Sequence, residues 1–146
     1  MCRVDTVRKE TWKVMKDNGC LGVKVGIESG SQYVEDKIVN KHLDLNYAYK
    51  TVQYIRDIGM SVHGTFTYGL PGETKEQMQE TKQFINKTNF NTVQESGTAE
   101  IEGSPLHALN KNNLENYPGA KINNNYDRQI DGGKKWQSLI KDLQRD

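Results

Sequence analysis

The 146 residues carry 20 lysines and arginines against 19 aspartates and glutamates, a net charge of +1, so no extended field draws in nucleic acid or an anionic membrane. Apolar residues are 34% of the chain and mean hydropathy is −0.83; no run approaches the roughly 18 apolar residues of a membrane span, and the N-terminus lacks the charged and apolar regions of a signal peptide. A cytoplasmic protein that binds neither nucleic acid nor membrane is therefore expected, with its two cysteines, Cys2 and Cys20, reduced and structural because they are too few and too far apart for a metal motif.

Asp5 or Thr6 is placed to cap a first helix running to about Asn18, with Val7, Val14 and Met15 on one face and Gly19 as its stop. Residues 22–28, GVKVGIE, alternate as a strand does, Val23, Val25 and Ile27 to one side and Lys24, Gly26 and Glu28 to the other. A short helix near 31–38 follows, then a longer one near 45–58 with Leu45, Ala48, Tyr49, Val52 and Ile55 as its apolar stripe, ended by Gly59. Residues 60–69, MSVHGTFTYG, alternate again, with Met60, Val62, Phe66 and Tyr68 opposite Ser61, His63, Thr65 and Thr67. Thr74 and Gln77 make a capping box that opens a helix to about Lys87, with Met78, Thr81, Phe84 and Ile85 on one side. A weaker strand fits 92–99.

Strand starts near 22, 60 and 92, separated by helical patterns, are the βαβ rhythm of an α/β fold with parallel strands. Strands of an open doubly wound sheet are covered on both faces and read as continuous apolar runs, whereas these have one apolar and one polar face. The pattern favours a partial (β/α) barrel with helices outside and a polar lumen within. The barrel segment is expected over 1–101, and an irregular extension over 102–146 whose only helical signal is Trp136, Leu139, Ile140 and Leu143 within 134–144.

Two places stand out chemically. In GIESGS, residues 26–31, a strand ends in a carboxylate before a turn of small residues. At the C-terminal end of a barrel strand Glu28 would face the active side, where its oxygens suit ribose hydroxyls or an ammonium; capping the helix near Ser31 is the competing role. In GLPGET, residues 69–74, glycines permit close backbone approach to a ligand ahead of a helix N-terminus, or simply a tight turn; no Gly-Lys-Ser/Thr follows as a P-loop requires. His63 shares the polar face with Thr65 and Thr67 and reads as a hydrogen-bonded structural histidine before a catalytic one. Nothing fixes the geometry of Glu95, Glu100 and Glu102 as paired carboxylates.

In order, CRVDTVRKETWKVMKDNGC, GVKVGIESGS, MSVHGTFTYGLPGET and EIEGSPLHAL resemble the third-strand end and its helix, strand four, strand five and the segment after strand six of the radical S-adenosylmethionine core. The resemblance covers about residues 2–110 and is greatest to the branch that often carries an N-terminal cobalamin-binding domain. It implies that Glu28, with Ser29 beside it, contacts the methionyl or ribose part of S-adenosylmethionine. It implies that Lys41 pairs with the cofactor carboxylate, and that Gly69, Pro71 and Gly72 form the turn whose backbone lies near the cofactor. Glu102 stands where the family's first proline sits. The family's four-iron cluster, bound by C-x-x-x-C-x-x-C, gives the electron that cleaves the cofactor to a deoxyadenosyl radical; Cys2 and Cys20 do not have that spacing. The cysteines are expected upstream of Met1, in a half-barrel joined in cis or supplied in trans, and cobalamin is compatible with that branch as a further cofactor of the complete protein. A non-catalytic half-barrel that binds a partner chain is the alternative expectation.

Overall fold

A computed structural model describes residues 1–98, so the expected extension over 102–146, with its helix, Glu100, Glu102 and the EIEGSPL segment, lies outside the described residues. The elements are α1 (Lys9–Asp17), β1 (Gly22–Glu28), α2 (Gln32–Lys37), α3 (Leu45–Asp57), β2 (Ser61–Tyr68), α4 (Lys75–Thr88) and β3 (Thr92–Gly97).

The three strands form one parallel sheet in the order β1-β2-β3. Cys2 extends it beyond β1: its N–H donates to the carbonyl of Lys24 at 2.8 Å, and its carbonyl accepts from the N–H of Gly26 at 3.2 Å. The stretch before α1 thus runs alongside β1 as a strand end would.

The alternation read from the sequence sorts the two faces. Val25 and Ile27 of β1 and Val62, Phe66 and Tyr68 of β2 are buried in one core with Ala48, Val52 and Ile55 of α3 and Met78 and Ile85 of α4. On the other face Lys24 reaches across to Gln94 Oε1 at 2.9 Å, and His63 Nδ1 meets Thr92 Oγ1 at 2.7 Å. This is an α/β arrangement with its helices on the apolar side and a polar face left to the lumen.

The capping box is present: Gln77 N–H donates to Thr74 Oγ1 at 3.3 Å, and Thr74 N–H to Gln77 Oε1 at 2.8 Å. The first helix differs from expectation. Its N-cap is Arg8 without a side-chain cap, because the Asp5 carboxylate is held by Arg3 and the Thr6 hydroxyl by the Arg3 carbonyl. Its buried residue is Trp12, whereas Val14 is 58% exposed; two residues along a helix are about 200° apart, so Trp12 and Val14 cannot share a face.

Gly30 joins the β1 end to α4. A β carbon there would lie 2.5 Å from Phe84 Cβ and 2.6 Å from Thr81 Cα, so only glycine permits this approach. Its N–H donates to Thr81 Oγ1 at 2.9 Å.

Candidate functional site

The site lies at the C-terminal ends of the strands. The register between β1 and β2 shifts between Gly26 and Glu28, and Glu28 has φ 76°. A left-handed backbone at a residue with a β carbon costs on the order of 1–2 kcal/mol. The bulge and this turn aim the carboxylate along the sheet: Oε2 accepts from Thr67 Oγ1 at 3.3 Å, and Oε1 lies 3.5 Å from Lys41 Nζ. Gly26 provides the clearance, since a β carbon there would lie 2.8 Å from Glu28 Oε1 and 3.5 Å from Lys41 Nζ.

Lys41 arrives from the loop after α2 between two residues with positive φ, Asn40 at 56° and His42 at 53°. Its ammonium donates to the Gly26 carbonyl at 2.6 Å, and its own carbonyl accepts from Arg3 Nη2 at 3.0 Å. Arg3, Glu28, Val39, Asn40, Lys41, Thr67 and Leu70 line a cavity of about 600 Å³, within the usual range for small-molecule sites.

Two buried carboxylates flank this site. Burial pushes Glu35 up to about 7, with Glu28 adding to the rise and the Ser29 N–H, Lys41 and Arg3 opposing it. Burial likewise pushes Glu73 up to about 7 against the N–H groups of Leu70 and Gly69.

Of the residues singled out from the sequence, Glu28 and Lys41 come together in the cavity wall. Ser29 is fully buried, its hydroxyl 3.1 Å from Thr81 Oγ1 and accepting the Ser31 N–H, so it braces the turn and does not line the cavity. Gly69 and Gly72 have φ 71° and 88° and form the expected turn with Pro71. The N–H groups of Gly69 and Leu70 point to Glu73 Oε2 at 2.7 and 3.2 Å, and the residue of this turn that lines the cavity is Leu70. His63 bonds Thr92 near the opposite end of β2 from Thr67.

Arg3, Gly26 and Leu70 were not legible as site residues. Gly26 had a signal, its place on the polar face two positions before Glu28; Arg3 had none, because it meets Lys41 across 38 residues of sequence.

The cavity chemistry fits S-adenosylmethionine. A carboxylate and a hydroxyl suit its ammonium and ribose, two cations suit its carboxylate, and Val39 and Leu70 give apolar wall. A four-iron cluster does not fit this chain's donors: it needs three thiolates, and the chain has two cysteines 18 positions apart. Among the described residues no group of three or more His, Cys, Asp or Glu side chains is placed to hold a metal, and no helix is long and apolar enough to cross a membrane.

The model of the radical SAM superfamily matches residues 2–85, more than half of the chain, and the chain belongs to that superfamily. Over 104 residues it is 32% identical to cytidylyl-2-hydroxyethylphosphonate methyltransferase of Streptomyces wedmorensis, covering 67% of this chain and 20% of that protein. Over 92 residues it is 30% identical to an uncharacterized methyltransferase, PH0819, of Pyrococcus horikoshii, covering 63% of this chain and 20% of that protein. The chain thus spans about a fifth of the length of these curated relatives. Coproporphyrinogen III oxidase (HemN) of Escherichia coli, a radical SAM enzyme, superposes with a TM-score of 0.69 at 16% identity, over 97% of this chain and 31% of that one. That likeness concerns the fold, a partial (β/α) barrel of parallel strands with outer helices.

Proposed function

We propose that this chain is the S-adenosylmethionine-holding segment of a radical SAM barrel whose cluster-bearing strands are supplied in cis or by a partner chain. The observation that carries the reading is the meeting of Glu28 and Lys41 in one cavity at the C-terminal strand ends. Glu28 accepts from the cofactor's ammonium or ribose hydroxyls, Lys41 faces its carboxylate, and Leu70 of the turn through Gly69, Pro71 and Gly72 packs against it. Ser29 acts through the turn it braces. Held by these residues, S-adenosylmethionine would supply one-electron radical chemistry, with the electron coming from a four-iron cluster on the complementing strands. The cluster ligands are assigned to the complementing strands because this chain's cysteines do not meet that demand. Methyl transfer is the reaction class that the names of the two relatives support. Cobalamin use rests on the resemblance to the cobalamin-associated branch.

Calorimetric titration with S-adenosylmethionine tests the reading, on this chain and on this chain joined to strands carrying C-x-x-x-C-x-x-C. Glu28→Gln and Lys41→Met are each expected to weaken binding ten- to hundred-fold, the worth of one hydrogen bond to a charged group. Equal affinity in both variants would overturn the assignment. Absence of binding in both forms would favour a half-barrel that serves as an interaction module.

A further inference from the structure

Glu35 sits on α2 with none of its surface exposed. Its Oε1 accepts the N–H of Ser29 at 2.9 Å, holding the peptide that leaves Glu28 in its left-handed turn. Its main-chain carbonyl accepts the N–H of Lys41 at 3.0 Å and that of His42 at 3.4 Å. One buried residue therefore grips the backbone on both sides of the cavity's charged pair. Its second oxygen, Oε2, is buried with no hydrogen-bond partner among the described residues. A residue that only filled this space would be apolar, since an orphaned buried oxygen is unfavourable.

We propose that Glu35 is a positioning residue, whose carboxylate fixes the turn after Glu28 while its carbonyl fixes Lys41, so that it sets how the two charges face the ligand. The proposal rests on the reading of Glu28 and Lys41 as the cofactor-binding pair. The charged groups around Glu35 are Lys41 and Arg3, which favour its ionised form, and Glu28, which opposes it. With its titration near 7, the strength of the clamp changes over the neutral range. As the carboxyl loses its proton, it becomes a stronger acceptor for the Ser29 N–H.

The test uses the full 146-residue chain and two variants, Glu35→Gln and Glu35→Leu. In amide NMR spectra the Ser29 resonance of the unmodified chain is expected to shift with a midpoint near pH 7. Glu35→Gln should abolish that step yet keep Ser29 protected from hydrogen exchange, because its amide oxygen still accepts. Glu35→Leu should lose the Ser29 protection and keep that of Lys41, whose partner is the main-chain carbonyl that leucine retains. In calorimetry with S-adenosylmethionine, Glu35→Leu should weaken binding about ten-fold and Glu35→Gln less than three-fold. If Glu28→Gln and Lys41→Met weaken binding but Glu35→Leu does not, the positioning role is overturned and the site reading stands. If neither the unmodified chain nor the chain joined to the cluster-bearing strands binds, the site reading fails and the amide measurements alone decide the clamp. A pH-independent Ser29 amide, or one unchanged in Glu35→Leu, overturns it. Should the leucine variant fail to fold, loss of the pH step in Glu35→Gln remains decisive.

Discussion

The ammonium of Lys41 stands 2.6 Å from the carbonyl oxygen of Gly26 and 3.5 Å from Oε1 of Glu28, so its closer partner is a main-chain dipole. The other Glu28 oxygen has an equally loose contact, 3.3 Å to Thr67. A carboxylate offers about four lone-pair sites, and two long contacts leave acceptor capacity for an incoming donor.

The first prediction follows from those distances. In a double-mutant cycle of Glu28→Gln and Lys41→Met read by urea denaturation, the coupling should stay below about 1 kcal/mol, as for a partly exposed pair. The same substitutions should be conspicuous in ligand affinity. A coupling of several kcal/mol would mean that the pair is a structural strut.

Gly26→Ala separates the site from the fold in another way. The new β carbon would meet the Glu28 carboxylate, the far end of a flexible side chain, at 2.8 Å. Gly26 is buried, but the side chain its methyl group would meet can swing aside, so stability should change by only about 1 kcal/mol, while S-adenosylmethionine affinity falls about ten-fold. Thermal denaturation and calorimetry on one preparation check both halves.

At Gly30 the neighbours that a methyl group would meet are helix backbone and an inward Cβ, which cannot swing aside. Gly30→Ala is expected to destabilise the chain by about 3 kcal/mol, as overpacking at a rigid contact does. Thr81→Val, which removes the hydroxyl serving Gly30 and Ser29, should cost about 1–3 kcal/mol. Midpoints of urea unfolding measure both.

Glu35 and Glu73 make the pH dependence unusual. Both are raised from 4.5 to about 7, chiefly by burial, so the folded chain holds protons that the unfolded chain has released across that interval. Their contribution to stability is fully present below about pH 4.5 and declines as pH rises toward 7. The thermal midpoint should fall over this range, and Glu35→Gln with Glu73→Gln should flatten the profile. Asp5, lowered by its hydrogen bond to Arg3, acts oppositely and only at pH below the ordinary carboxylate value. A midpoint that climbs from pH 5 to 7 would contradict the burial of these two carboxylates.

Strands and their faces were legible because period-two alternation is a local signal that burial enforces, as Val62, Phe66 and Tyr68 against His63, Thr65 and Thr67 illustrate. The capping box at Thr74 and Gln77 was legible for the same reason, since both partners lie within one turn. Glu28 and Lys41 were found as residues, but their meeting was not: it depends on a bulge after Gly26 and on positive φ at Glu28, Asn40 and His42, which no local propensity announces. Glu35 was hidden in QYVEDK, a segment that reads as a solvated polar helix. Its burial comes from packing against the turn after β1. The face expected for the first helix held for Val7 and Met15, which pack against the core beside Trp12, and failed at Val14, which is exposed; Trp12, three residues before Met15, was the buried member missed.

The contact of Gly30 with α4 bears on the order in which the molecule assembles. The Gly30 N–H and the Thr81 hydroxyl are 51 residues apart in the chain, so their bond closes a long loop, and loop-closure entropy must be met before it forms. β1 and β2 close over a somewhat shorter separation, Gly22 to Ser61, and the turn after Glu28 can then be held by Glu35 before the Thr81 contact completes it. A sheet paired without α4 would keep the Glu35 bond to Ser29 but lack the Thr81 bonds to Gly30 and Ser29 that brace the same turn. Anyone redesigning this pocket should treat residues 29–31 and 81–84 as one piece, since a change on α4 reaches the Glu28 carboxylate through the glycine it touches.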